Sequence, residues 1–174
     1  MIARIVSGGQ SGVDRAALDI ALELGVPCGG WCPKGWLAED GAISQRYPLV
    51  ETPTEDYAQR TTWNVRDSDG TLVLNRGAIA GGTAQTVEDA RKLGKPCLVV
   101  DLDGAGEMDA VARWLIKQRV GVLNVAGPRE SKSPGVYRQA SEFLRAVLVQ
   151  ADGRGGTPWA GSCGAEPTTG PDLA

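Results

Sequence analysis

Residues 2–12 read Ile2-Ala3-Arg4-Ile5-Val6-Ser7-Gly8-Gly9-Gln10-Ser11-Gly12. The short, mostly apolar run at the start predicts a β-strand, and the glycines that follow it predict a tight loop. From Val13 to Leu24, apolar residues recur at helical intervals, and Gly25 and Pro27 end that pattern. The stretch therefore predicts a strand, a glycine-rich loop and a helix in succession.

The same alternation continues along the chain. Further strands are predicted at 72–74, 96–102 and 120–126, and residues 27–35 are predicted to form a short strand or an extended turn. Further helices are predicted from a cap at Thr54 to about Asp67, then at about 83–93, at 108–117 and from about 136 to Val149. Residues 36–53 are expected to be irregular. Strands that alternate with helices form parallel βαβ units. We therefore predict an α/β fold, a Rossmann-like three-layer sandwich with a mainly parallel sheet of about five strands.

The chain has 174 residues, which is the length of one domain. We expect residues 1–150 to form a Rossmann-like ligand-binding domain. Residues 151–174 are rich in Gly, Pro and Thr and have little apolar surface to bury. They are therefore expected to form a flexible C-terminal tail.

The composition excludes several classes of site. The chain has no histidine, so it has no Ser-His-Asp or Cys-His catalysis and no His-ligated metal. The net charge of −3 argues against nucleic-acid binding, and no apolar run reaches the length of a membrane span. Because the N-terminus also lacks a leader pattern, we expect a cytoplasmic protein with reduced thiols. A two-thiol redox or metal site at Cys28 and Cys32 is the alternative.

Three loops of unusual composition follow predicted strands and precede predicted helices, at residues 7–12, 77–83 and 127–135. In a parallel sheet such loops meet at the C-terminal edge, where ligands bind. Glycines admit close backbone approach, and helix starts supply unpaired N–H groups and a dipole that favours anions. Together they predict a site for a phosphorylated small molecule, with no metal held by the protein. The predicted ligand-binding residues are Ser7, Gly8, Gly9, Gln10, Ser11, Gly12, Arg15, Lys34, Gly81, Gly82, Thr83, Arg129 and Ser131.

Each of these signals also has a structural interpretation. The loop 7–12 matches neither the dinucleotide-binding nor the P-loop pattern, and a lone glycine loop is often only a tight turn. Asp14, in the first turn of its helix, could simply compensate the helix dipole. Glu88 could be an exposed helix residue.

Several motifs, in the same order, resemble the molybdenum cofactor carrier family, a Rossmann-like branch of the SLOG superfamily. They are the residues 5–16, 29–35, 38–41, 63–71 and 81–83. The resemblance covers about residues 2–148. It implies a cytoplasmic homo-oligomer, a dimer or tetramer, that holds molybdopterin or its molybdenum form without chemical change. It also implies that the loops 8–12 and 81–83 cradle the phosphate, while the dithiolene of the ligand itself binds molybdenum.

The resemblance leaves an enzymatic alternative open. Hydrolase relatives that cleave the N-glycosidic bond of nucleoside 5′-monophosphates carry the pattern P-G-G-x-G-T-x-x-E, whose Glu is catalytic. Here Gly81, Gly82 and Glu88 match that pattern, whereas Ala80, Ala84 and Gln85 depart from it. The alternatives to carriage are therefore a phosphoribohydrolase that uses Glu88 and a sensor of a nucleotide derivative.

Overall fold

The computed structural model describes residues 2–104 and 108–151. The predicted strand, glycine loop and helix are present at its N-terminus, as β1 (Arg4–Val6) and α1 (Val13–Leu24). The predicted tail, from residue 152 onward, lies outside the described residues. Its separation from residues 1–150 therefore stays a prediction.

The remaining elements follow the predicted alternation closely. The strands are β2 (Cys28–Cys32), β3 (Leu37–Ala38), β4 (Gly41–Ala42), β5 (Leu49–Glu51), β6 (Gly70–Asn75), β7 (Cys97–Asp101) and β8 (Val122–Ala126). The helices are α2 (Tyr57–Arg66), α3 (Gly81–Lys92), α4 (Met108–Lys117) and α5 (Val136–Ala151). Among the described residues, no helix has the length and apolar character needed to cross a bilayer.

The main sheet has the strand order β5-β2-β1-β8-β6-β7, and every neighbouring pair is parallel. From β1 the chain builds outward to β2 and β5, then crosses to β6 and β7 and returns through β8. The direction in which successive strands are added to the sheet thus reverses beside β1. Such a switch point is where open α/β sheets form ligand crevices.

Helices cover both faces of the sheet. On one face α1 packs against α5, which packs against α4, and the main core lies beneath them. Leu72 and Leu74 of β6 enter this core, whereas the equally buried Val73 points to the other face. On that face α2 packs against α3 and β2. The predicted three-layer sandwich is confirmed.

Three details differ from the sequence prediction. The segment 36–53 is not wholly irregular, since it contains the β3–β4 hairpin and the edge strand β5. The main sheet consequently has six strands rather than about five. Strands of two or three residues are too short to show a period of two. The N-cap of α2 is Asp56 rather than Thr54, because the Asp56 carboxylate accepts the N–H of Ala58 at 2.9 Å.

Candidate functional site

A cavity of about 770 Å³ lies at the C-terminal edge of the sheet. It lies among the loops that follow β1, β6 and β8, with α2 and α3 completing its wall. This volume is typical of sites for small molecules. The polar lining residues are Gln10, Asp14, Tyr57, Arg60, Thr61, Asn75, Arg76, Thr83, Gln85, Thr86, Arg129, Lys132 and Ser133.

The N-terminus of α3 points its unpaired amides at this cavity. Gly81, Gly82 and Thr83 all line it, and the N-cap Ala80 makes no side-chain capping bond. The first amide that reaches a helical carbonyl is that of Ala84, which donates to Ala80 O at 3.3 Å. The three preceding N–H groups therefore have no acceptor within the helix, and the helix dipole favours an anion beside them.

Three cationic side chains from the loops after β6 and β8 also line the cavity. Arg76 is partly engaged, since its Nε lies 3.3 Å from Asp103 and its Nη1 donates to the Pro134 carbonyl. The Arg129 guanidinium lies 4.9 Å from the centre of the Tyr57 ring. Across the described ranges, no carboxylate lies within 4.0 Å of Arg129 or Lys132. Two positive charges are thus available to an anionic ligand.

A buried ion pair forms another part of the wall. Arg60 Nη1 donates to Asp14 Oδ2 at 2.9 Å, and these side chains are 13% and 4% exposed. Burial raises the pKa of Asp14 from its ordinary value, and the charge of Arg60 and the Gln10 backbone amide oppose this effect. A Cβ at Gly8 would lie 1.8 Å from Arg60 Nη1. Glycine at position 8 therefore makes room for this guanidinium.

Gln10, from the first glycine loop, lies in the wall of the same cavity. Its Oε1 accepts the backbone N–H of Ser11 at 3.0 Å and that of Glu39 at 2.8 Å. Two N–H donors at one atom identify that atom as the amide oxygen. The Nε2 of Gln10 is buried and has no partner among the described residues. A buried amide donor without a partner is costly, so a ligand acceptor here would be stabilising.

The predicted ligand-binding serines, Ser7, Ser11 and Ser131, lie outside the cavity lining, whereas Thr83 lies within it. Ser7 is fully buried, and its Oγ donates to the Val125 carbonyl at 2.7 Å. The hydroxyls of Ser11 and Ser131 both donate to the Glu39 carboxylate. Although some desolvation raises it, these bonds hold the pKa of Glu39 below its usual range. The two hydroxyls therefore tie the first and third loops to the β3–β4 hairpin.

The predicted cations Arg15 and Lys34 also lie elsewhere. Arg15 pairs with Asp40 of the hairpin, and its Nη2 donates to the Gly9 carbonyl at 3.2 Å. Lys34 is exposed beyond β2, where its backbone N–H donates to Thr54 O at 2.9 Å. Neither is among the lining residues.

Two of the loop glycines have packing roles. A Cβ at Gly9 would lie 2.7 Å from Leu49 Cδ1, and one at Gly12 would lie 2.4 Å from the Pro128 carbonyl oxygen. Both residues also have positive φ, which disfavours side chains. The predicted ligand-binding residues that line the cavity are Gln10, Gly81, Gly82, Thr83 and Arg129.

Glu88, the carboxylate of the hydrolase alternative, lies on α3 outside the cavity lining. It pairs with Arg91 at 2.7 Å and with Lys92 at 3.6 Å, and its side chain is 41% exposed. The hydrogen bond from Arg91 lowers the pKa of Glu88 to about 2. At neutral pH Glu88 is therefore ionised, and its carboxylate pairs with Arg91 and Lys92 rather than facing a substrate in the cavity.

Arg60 and Arg76 are cavity residues that the sequence analysis missed. Arg76 directly follows β6, so its place after a parallel strand was a usable signal. Arg60 lies within α2, and its partner Asp14 is 46 residues away along the chain. Nothing in the local pattern connects these two residues.

The cysteines and carboxylates form no metal centre in the part of the chain that the structure describes. No three Cys, Asp or Glu residues there are grouped to hold a metal ion. Cys28 and Cys32 stand at opposite ends of β2, about 13 Å apart at the rise of a strand. That separation is too large for a disulfide or a shared ion. Burial raises the pKa of Cys32 to about 11.

Comparison with known proteins supports the resemblance seen in the motifs. Residues 5–148 match the model of a family described as the circularly permutated YpsA SLOG family. A search of curated proteins finds no match. The crystal structure of a provisionally named molybdenum carrier protein from Syntrophus aciditrophicus SB is 47% identical, with a TM-score of 0.81. That similarity covers 84% of this chain and 95% of the other. The sequence match and the structural match agree, so the chain belongs to the circularly permutated YpsA family of SLOG proteins.

Proposed function

We propose that this protein binds a phosphorylated heterocycle, with molybdenum cofactor as its ligand, and carries it without changing it chemically. The observation that carries the proposal is the pairing, in one cavity, of uncapped α3 amides with two cations, Arg129 and Lys132, that have no carboxylate of the described residues within 4.0 Å. Two positive charges that form no salt bridge with the described residues suit a phosphate monoester, which bears close to two negative charges at neutral pH. The name of the similar Syntrophus protein agrees with this ligand.

In this proposal the parts of the cavity have different roles. Gly81, Gly82 and Thr83 bind the phosphate through their backbone amides, and Arg129 and Lys132 neutralise it. Gln10 lies at the ring of the ligand. The predicted residues Ser11 and Ser131 then act indirectly, by fixing the loops through Glu39. The molybdenum belongs to the cargo, whose dithiolene holds it, so the chain itself needs no metal ligand.

Two further features belong to the proposal. We place the protein in the cytoplasm as a homo-oligomer, a dimer or tetramer. Residues 1–150 act as the ligand-binding domain.

The hydrolase alternative receives less support from the geometry. Its catalytic carboxylate would have to be Glu88, which faces Arg91 and Lys92 instead of the cavity. Incubation with nucleoside monophosphates and an assay for free base tests this directly. Turnover that Glu88→Gln abolishes would refute the carrier function.

Titration with molybdopterin under anaerobic conditions tests the carrier function. We expect Lys132→Met to weaken binding about tenfold, because it removes one charge-assisted contact to the phosphate. Lys117→Met is the matched control, since Lys117 is an exposed lysine at the end of α4 and does not line the cavity. Equal Kd values for the wild type and Lys132→Met would contradict the phosphate assignment. Absence of molybdopterin binding by the wild type would refute the proposed function itself.

A further inference from the structure

The proposed function accounts for the phosphate but leaves the side chains of Gln10 and Asp14 unexplained, as well as the buried Arg60 Nε, which has no partner among the described residues. Gln10 is only 3% exposed, and its Nε2 has no acceptor among the described residues. Rotation of the amide cannot relieve this, because Oε1 is held by the N–H groups of Ser11 and Glu39. The amide is therefore fixed with Nε2 as a buried donor that lacks an acceptor among the described residues, in a residue that lines the cavity.

The second group is the carboxylate of Asp14, in the first turn of α1. It lines the same cavity and is 3% exposed. Arg60 donates to its Oδ2 through Nη1, and the backbone amide of Gln10 also interacts with the carboxylate. A carboxylate can accept about four hydrogen bonds, so acceptor capacity remains. Burial raises the pKa of Asp14, and the positive charge of Arg60 opposes this effect and favours the carboxylate that accepts hydrogen bonds.

We propose that Gln10 and Asp14 read the edge of a 2-amino-4-oxopyrimidine ring, the ring that pterins and guanine share. Gln10 Nε2 donates to the oxo group. Asp14 accepts the ring N–H and the exocyclic amino group. The inference rests on the proposed function, because the phosphate of the same ligand must occupy the α3 end of the cavity.

The same two residues discriminate against other rings. Adenine presents an amino donor where Gln10 needs an acceptor, and an unprotonated ring nitrogen against the Asp14 carboxylate. Both contacts then fail, and buried polar groups without partners cost much more than a lost neutral contact. Hypoxanthine keeps the oxo group and the ring N–H but lacks the exocyclic amino group. For adenine and hypoxanthine, each lost hydrogen bond can therefore be assigned to one atom of the base.

Titration of the full chain with GMP, IMP and AMP tests the inference, since all three carry the same ribose phosphate. We expect GMP to bind at least tenfold more tightly than IMP, because a hydrogen bond to a charged group is lost. AMP should bind more weakly than IMP. Comparable Kd values for the three nucleotides, or a preference for AMP, would overturn the inference while leaving the phosphate site intact. Binding of none of them, together with no binding of molybdopterin, would overturn the proposed function as well.

Gln10→Glu is the sharpest variant. It keeps an oxygen to accept the N–H groups of Ser11 and Glu39 but replaces the donor with a second acceptor. The added negative charge affects all three phosphates alike, so the informative quantity is the ratio of the Kd values within the variant. We expect the preference for GMP over AMP to fall at least tenfold. An unchanged ratio in a folded variant would overturn the role of Gln10. If the variant does not fold, the Kd values of the three nucleotides for the wild-type chain still test the inference.

Discussion

Arg60→Met should destabilise the protein strongly, because it strips the partner from a buried carboxylate. Asp14 is 4% exposed and Arg60 13%, so solvent screens the lost contact only weakly. Removal of one partner from a buried ion pair typically costs about 3–5 kcal/mol. The matched control is Arg145→Met, since Arg145 pairs with Glu23 at 2.7 Å while both side chains are 43–48% exposed. That pair should contribute less than about 1 kcal/mol.

The loss should also depend on pH. Burial already raises the pKa of Asp14 above its ordinary value of 3.8, and the charge of Arg60 is the strongest opposing effect. Without Arg60 the folded-state pKa rises further. A raised folded-state pKa means that the folded chain binds more protons than the unfolded chain, so stability falls as pH rises through that pKa. The difference between wild type and Arg60→Met should therefore be larger at pH 7 than at pH 4.

Urea denaturation followed by circular dichroism at both pH values measures these effects. A second variant, Asp14→Leu combined with Arg60→Met, should recover much of the loss, because no charge then remains buried. The reasoning is refuted if Arg60→Met and Arg145→Met cost the same at pH 7. It is refuted equally if the cost of Arg60→Met does not change between pH 4 and pH 7.

Gly82→Leu should abolish binding of phosphorylated ligands and leave the urea midpoint nearly unchanged, since no atom lies within 4 Å of a Cβ at Gly82. A ligand titration beside the denaturation curve checks both; retained affinity would contradict the α3 site. Glu39→Gln should lower stability at neutral pH by less than about 1 kcal/mol, since the group is largely exposed. Because the pKa of Glu39 is lowered, this difference should shrink as pH falls below its ordinary value of 4.5 and vanish only below the lowered pKa of the folded state, which a pH series of melting temperatures measures. Cys32, fully buried and with a pKa of about 11, should resist alkylation at pH 8 in the native protein, and rapid labelling in peptide mapping would contradict its placement.

The sequence was a good guide to the helices because each has ten residues or more, which is long enough to show a helical period. Helix α4 occupies its predicted residues 108–117, and the strands β7 and β8 lie within one or two residues of prediction. The missed strand β5 has only three residues, one of them the exposed Val50. An edge strand of that length is defined by its partner β2, not by its own pattern.

The candidate site was predictable where it depends on topology. Residues that follow a parallel strand reach the C-terminal edge, and this places Gln10, Gly81 and Arg129 in one cavity. The role of each side chain was harder to predict from the sequence. Ser11 and Ser131 are of a residue type that often binds phosphate, yet the hydroxyls of both donate to the Glu39 carboxylate. That carboxylate comes from a hairpin whose position no local pattern predicts.

The glycine loop 7–12 explains why such a motif can be recognised before its chemistry is understood. Gly8 leaves room for the Arg60 guanidinium, and Gly9 leaves room for Leu49 and Ile43, so packing accounts for both glycines without a ligand. A bulky residue at Gly9 would consequently damage the core, and lost binding in that variant would not locate the phosphate. A Cβ at Gly82 would have no atom within 4 Å. Substitution of this glycine should therefore change ligand affinity without changing the stability of the fold. Within the loop it is the side chain of Gln10, not a glycine, that is left with a hydrogen bond to offer a ligand.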